Sequence, residues 1–212
     1  MDDRLPQLLA ARLERPLPGR AAQRDFEPEL SYGRHYAPAP AESRAAAVIA
    51  LLYPSDDGWL LPLIVRPQTM TDHAGQVSLP GGMIDPGESP ASAASRELEE
   101  ELGVDRHSVR IVGQLSPIYL FVSNFSVQAW VGFFGQRPRL TPNPHEVAEL
   151  LETPLAHLVD KTNYGRHARD FNGLQFGVPH IRFKTHYVWG ATAMILAELI
   201  ALVRELEDAA VC

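Results

Sequence analysis

Apolar residues along this chain change period several times, and the changes mark its elements. Leu5, Leu8, Leu9 and Leu13 recur at helical spacing and predict a short amphipathic helix over residues 4–14. From Arg15 to Ala41 that period is lost. Pro16, Pro18, Pro28, Pro38 and Pro40 predict an irregular arm, which Phe26, Tyr32 and Tyr36 equip for docking. Ala45 to Tyr53 (AAAVIALLY) reads as a buried strand, residues 54–58 as a turn, and Trp59 to Val65 as the returning strand, with Pro62 at an edge or bulge. A polar loop over 66–74 and a short strand over 75–79 lead into Pro80-Gly81-Gly82. Val109 to Leu120 and Phe125 to Phe134 read as strands joined around Ser123-Asn124, and 136–145 as a proline-rich loop. Glu146 to Leu151 is a strand or turn, and Pro154 to Leu158 a helical turn. Phe171-Asn172-Gly173-Leu174 predicts a hairpin with Ile181 to Trp189 as its return strand, and Gly190 to Glu207 a closing helix. Trp189 is read first as a packing residue and second as a substrate platform, with Tyr187 facing away from it. Strands and helices mix without regular βαβ spacing, which predicts an α+β body over 45–212, carrying residues 1–44 as a helix and arm packed on it.

One further segment bounds itself by local chemistry. Ser89 suits a helix N-cap, and Pro90 suits the first helical position, where no acceptor waits for the missing N–H. Gly103 suits the residue just past the end, since it tolerates positive φ. At 100° per residue, Ala91, Ala94, Leu98 and Leu102 fall on one arc and predict a core face. Glu97, Glu100 and Glu101 share a neighbouring arc, while Glu99 points away into solvent. Carboxylates crowded beside buried surface raise one another's pKa, and a hard divalent cation such as Mg²⁺ or Mn²⁺ relieves the repulsion.

Composition narrows the partners. With 212 residues, 45% of them hydrophobic, the chain can bury a sizeable core. A formal charge of −7 argues against a nucleic-acid partner. Cys212 is the sole cysteine, in keeping with a reducing cytoplasm, and the first residues lack the apolar run of a signal peptide. The most apolar stretch, Val188 to Val203, is interrupted by Glu198 and short for a bilayer, so no membrane partner is expected. Composition leaves room for a homodimer.

The spacing of the acidic helix is specific. Gly82 is followed by Glu88, then by Arg96-Glu97-Leu98, Glu100-Glu101 and Gly103-Val104, which matches GX5EX7REUXEEXGU (U apolar) at every position. The chain therefore resembles a Nudix hydrolase. The resemblance implies an α/β/α sandwich with a central mixed sheet, and metal-dependent hydrolysis of a diphosphate bond. By position, Glu97, Glu100 and Glu101 would ligate Mg²⁺ or Mn²⁺, joined by the backbone carbonyl of Gly82. Arg96 would orient the glutamates and pair with Glu88. The general base is open between Glu101, Glu146 and Glu149.

Upstream, Arg66, Gly75, Pro80, Gly81 and Gly82 stand in register with a signature that resembles coenzyme A pyrophosphatases, and His186 to Ala193 (HYVWGATA) is similar to their (Y/F)xWGxTA segment. Thr71, Pro67 and Leu79 stand where that signature has an arginine, a small residue and an aromatic. The resemblance implies that coenzyme A or acyl-CoA is split into 3′,5′-ADP and (acyl-)4′-phosphopantetheine, with Arg66, His73 and Gln76 contacting the substrate. The alternatives are the same chemistry on ADP-ribose, NADH, a dinucleoside polyphosphate or a dNTP, or a silent nucleotide-binding module.

Overall fold

The computed structural model describes residues 4–36, 38–69 and 73–211, without the side chains of residues 171, 210 and 211. Thr71 and Cys212 lie outside the described residues. The apolar run near the start of the body becomes the central strand, β1 (Arg44–Ser55). A strand covered on both faces reads as a continuous apolar run, and β1 does so from Ala45 to Tyr53. Ala47, Ile49, Leu51 and Tyr53 face one core, whereas Ala46, Ala50 and Leu52 face the other. It pairs antiparallel with β2 (Gly58–Val65), and later in the chain it gains two more partners. These follow after β3 (Val77–Ser78): β4 (Gly81–Met83) lies antiparallel to it, and β7 (Phe125–Phe133) lies parallel. With β5 (Arg110–Gln114), the order runs β3-β2-β1-β7-β5, so the sheet is mixed.

Helices cover both faces. The acidic helix, α3 (Pro90–Leu102), packs Ala93, Ala94, Leu98 and Leu102 on one core. Ala91, expected on that face, is only half-buried, and Ala93 takes its place because the core reaches further round the helix. Replacing Leu98 by Ala would cost about 2–5 kcal/mol, as for other fully buried leucines. The opposite core is closed by α1 (Leu5–Leu13), α4 (Leu155–Val159) and the long α5 (Gly190–Val211). This is the α/β/α sandwich with a mixed sheet. Among the described residues no helix is long and apolar enough to cross a membrane.

Several expectations are corrected. The strand foreseen over 109–120 is two, β5 and β6 (Ile118–Leu120), both antiparallel to β7. The break falls at Ser116-Pro117: proline has no N–H for the ladder, and Ser116 turns its N–H and hydroxyl to Glu198. The segment read as strand or turn divides, with Glu146 in a turn and β8 (Glu149–Pro154) following it, paired along β2. Pro62 falls where β2 has left β1 and not yet reached β3, so its missing donor breaks no ladder on that side. The hairpin at Asn172-Gly173 returns as β10 (Leu174–Phe183) after β9 (Tyr164–Phe171). A second turn at Lys184, with φ 53°, then starts β11 (His186–Trp189), so 181–189 is not one strand.

Two residues apart on β11, Tyr187 and Trp189 share a face, and both ring systems touch His167. Trp189 is half-buried there beneath the Arg169 guanidinium, and the core is filled instead by Val188 between them. The arm is docked by α2 (Arg20–Gln23) and short 3-10 turns. Phe26 is buried edge-on against Tyr164, whereas Tyr32 is exposed. Its anchor is Glu198 of α5, fully buried, which accepts from Gly19 N (2.7 Å), Ser116 N (2.8 Å), Ser116 Oγ (2.7 Å) and Gln23 Nε2 (3.4 Å).

Candidate active site

Both ends of α3 are closed by the residues that local chemistry assigns to them. Ser89 Oγ accepts from Ser92 N at 3.2 Å, and Gly103, at φ 69°, returns its N–H to Glu99 O at 2.8 Å. The last carbonyls of the helix have a further use. Leu102 O accepts from Thr141 N (2.7 Å) and Glu101 O from Asn143 N (2.8 Å), which hangs a distant loop on the end of the helix. Val147, 4% exposed, roots that loop in the core beneath α3, and Glu146 beside it reaches the acidic face.

Glu97, Glu101 and Glu146 each present an oxygen within 4.8 Å of the other two. Glu101 is 2% exposed, and its Oε2 accepts from Gly81 N at 3.0 Å. Burial pushes its carboxyl up to about 8. Repulsion from Glu97 and Glu146 adds to this, while the Gly81 N–H and the Arg66 guanidinium offset part of it. Glu97 is raised chiefly by burial, against the pull of Arg96.

Arg96 organises the opposite side of the group. It reaches both Glu88 oxygens (3.1 and 3.0 Å), Glu97 Oε1 (2.8 Å), Met83 O (3.0 Å) and, more loosely, Glu100 Oε2 (3.3 Å). Its hydrogen bonds hold the Glu88 carboxyl below the usual range, and those carboxylates hold the guanidinium protonated.

Gly82 belongs to β4, paired with Ala47, and the reason for a glycine is close approach: a Cβ there would lie 2.5 Å from Glu97 Cδ. The donor set fits a hard divalent cation. Three carboxylates converge, one is buried against its own ionisation, and among the described residues no cationic side chain is hydrogen-bonded to Glu101 or Glu146.

The remaining expected residues divide. Glu100 stays on the Arg96 side, its side chain half-exposed, apart from the converging trio. Glu149 sits on β8 and bonds His186 Nε2 at 2.9 Å, so of the two loop candidates for a base only Glu146 joins the cluster. Arg66 lies close enough to ease the ionisation of Glu101, and its buried Nε has no hydrogen-bond partner among the described residues. Its backbone closes a loop with Gln76 O (3.0 Å) and Gly75 N (3.0 Å). His73 Nδ1 and Gln76 Oε1 meet at 3.1 Å on the exposed side of that loop. Glu99 pairs with Arg106 at 3.4 Å, away from the trio as expected. Asn143 was not foreseen. Its only sequence signal is a polar residue held between Pro142 and Pro144, three before an acid.

Residues 43–171 match the family model for the NUDIX domain. The chain is 34% identical over 151 residues to "Uncharacterized Nudix hydrolase NudL" of Photorhabdus laumondii, covering 66% of this chain and 80% of that one. It is 32% identical over 182 residues to "Nudix hydrolase 22, chloroplastic" of Arabidopsis thaliana, spanning 82% of this chain and 60% of the plant protein. Among solved structures, a MutT/nudix family protein from Enterococcus faecalis superposes with a TM-score of 0.54 at 17% identity, covering 82% of this chain and 67% of that one. The NUDIX domain of Shewanella oneidensis NrtR, complexed with ADP ribose, gives 0.52 at 17% identity, covering 84% and 97%. At that identity the two structures speak for the fold.

Proposed function

The chain belongs to the Nudix hydrolase family, and from that premise we propose that it hydrolyses the diphosphate of coenzyme A or acyl-CoA. Water adds across the P–O–P bridge, giving 3′,5′-ADP and (acyl-)4′-phosphopantetheine. The observation that carries the substrate is the register of Arg66, Gly75 and Pro80-Gly81-Gly82 with the coenzyme A pyrophosphatase signature, together with His186 to Ala193. The placement of Arg66 supports it. A guanidinium beside the carboxylate cluster, with a buried Nε still lacking an acceptor, suits an anionic phosphoryl oxygen. The buried position of Leu79 is compatible with it: this departure from the signature is a packing residue in the core, not a contact for substrate.

In this reading Glu97, Glu101 and Glu146 hold the cation, with Glu100 and the Gly82 carbonyl available at its edge. Bound Mg²⁺ or Mn²⁺ supplies charge neutralisation for the diphosphate. Arg96 keeps Glu97 and Glu88 in place, and Arg66 orients the phosphates. Glu146 is the loop carboxylate best situated to take a proton from the attacking water, and His73 and Gln76 line the approach. Pro67, departing from the signature beside Arg66, favours the second reading, the same hydrolysis on another nucleoside diphosphate derivative such as ADP-ribose or NADH.

A substrate panel separates the two. Purified protein with Mg²⁺ or Mn²⁺ is offered coenzyme A, acetyl-CoA, ADP-ribose, NADH, a dinucleoside polyphosphate and dNTPs, and products are identified by mass spectrometry. Phosphopantetheine and 3′,5′-ADP at the highest kcat/KM support the proposal. A higher kcat/KM for another diphosphate replaces it with the second reading, and binding without hydrolysis of any compound removes both.

A further inference from the structure

We propose that Asn143 is a positioning residue that aims Glu146 at the cation site; this rests on the reading of Glu97, Glu101 and Glu146 as that site. Glu146 is the one member of the trio that α3 does not supply, so something outside the helix must orient it. Asn143 makes every contact needed. Its N–H bonds Glu101 O at 2.8 Å, tying its position to the residue whose carboxylate Glu146 must meet. Its C=O accepts from Glu146 N (3.0 Å) and Val147 N (2.8 Å), which turns the chain back toward the helix. Its side chain divides two tasks: Oδ1 accepts from His145 N at 3.1 Å, and Nδ2 donates to Glu146 Oε1 at 3.0 Å.

That division is dictated by chemistry. A carboxylate only accepts, so the amide must present nitrogen to Glu146, which leaves its oxygen for the backbone N–H. Pro144 next in sequence biases the Asn143 backbone toward extended conformations, and the two hydrogen bonds fix the amide itself. Binding one Glu146 oxygen in this way limits the carboxylate's rotation and leaves its other oxygen for the cluster. Hydrogen-bond partners of metal ligands typically change metal affinity about 10–100-fold when lost.

The two tasks separate by substitution. In Asn143→Ser the hydroxyl still accepts from His145 N but is too short for Glu146. Mn²⁺ binding is read without substrate, from the EPR signal of free Mn²⁺, alongside Tm and the steady-state constants. We expect Asn143→Ser to melt within about 4 °C of wild type, to bind Mn²⁺ about 10-fold more weakly, and to lose kcat with KM little changed. In a Glu146→Ala background, which has no acceptor left for Asn143, the same substitution should have no further effect on Mn²⁺ affinity, since Asn143 acts through that carboxylate. Wild-type Mn²⁺ affinity in Asn143→Ser, an equal loss in both backgrounds, or a large drop in Tm would assign Asn143 to the turn alone and overturn the proposal. Wild-type protein that fails to bind Mn²⁺ would instead remove the cation site itself, and this inference with it.

Discussion

Gly81 and Gly82 are adjacent in β4, yet a methyl group should do opposite things at the two positions. At Gly81, φ is +150°, and an added Cβ would sit 2.3 Å from Ala47 O and 2.6 Å from Val48 Cα. Those atoms belong to the backbone of the central strand and cannot step aside. A strained φ costs about 1–3 kcal/mol, and overpacking against fixed atoms about 1–3 more. At about 2–4 °C per kcal/mol for a chain of this size, Gly81→Ala should lower Tm by roughly 10 °C. Gly82 has no positive φ, and the atoms nearest its added Cβ are those of the Glu97 carboxylate, 2.5 Å away at the end of a flexible side chain. Rotation of that side chain costs about 1 kcal/mol, so Tm should fall by no more than about 4 °C. The carboxylate must nevertheless retreat to the 3.4 Å of an ordinary contact, a displacement of about 1 Å. Misplacement of that size in a catalytic group costs about 100-fold in rate. The assays are thermal unfolding for both variants, and turnover of the best wild-type substrate with Mn²⁺ for Gly82→Ala. Turnover of Gly82→Ala within about threefold of wild type, or equal melting of the two variants, would refute the claim that Gly82 exists to admit Glu97.

Three further outcomes follow from the same coordinates. Because the native carboxyl of Glu101 is pushed up to about 8 from an ordinary 4.5, metal-free protein holds an extra proton between those values. Its stability should therefore fall as pH rises through that window, by up to about 1.4 kcal/mol per unit, and Glu101→Gln should flatten the slope in EDTA; parallel Tm curves from pH 5 to 8 would count against it. Glu198→Ala strands the Gly19 and Ser116 donors, and should cost about 2–4 kcal/mol and speed proteolysis within residues 15–41; unchanged melting and cleavage would disprove the anchor. Arg66→Ala should raise KM about 10–100-fold through loss of a charge-assisted contact to phosphate, and an unaltered KM would take Arg66 out of the substrate site.

How far the amino-acid string reaches depends on how local each signal is. Both ends of α3 were legible, because Ser89, Pro90 and Gly103 bound a helix through their own local chemistry, and the spacing of its acids is a matter of one turn. The central strand was legible too, since a run apolar at every position can only be covered on both faces. Where a strand would break was less so. Ser116-Pro117 and Lys184 interrupt patterns that look continuous, and the choice depends on Glu198 and on a turn fixed by neighbouring strands. Glu198 itself looked like an interruption in an apolar run, whereas folding makes it the acceptor for the arm.

What the string determined by itself is therefore the acidic helix, its glycine partner and the reaction class they serve. Only the tertiary structure decided which carboxylates meet. Glu100 matches the family spacing but remains beside Arg96, while Glu146, 45 residues beyond Glu101, enters the trio and Glu149 leaves for His186. The reason is that the carbonyls at the end of α3 lack helical partners and are answered by Thr141 and Asn143. That closure depends on chain ends meeting in space, which no local period along the sequence encodes.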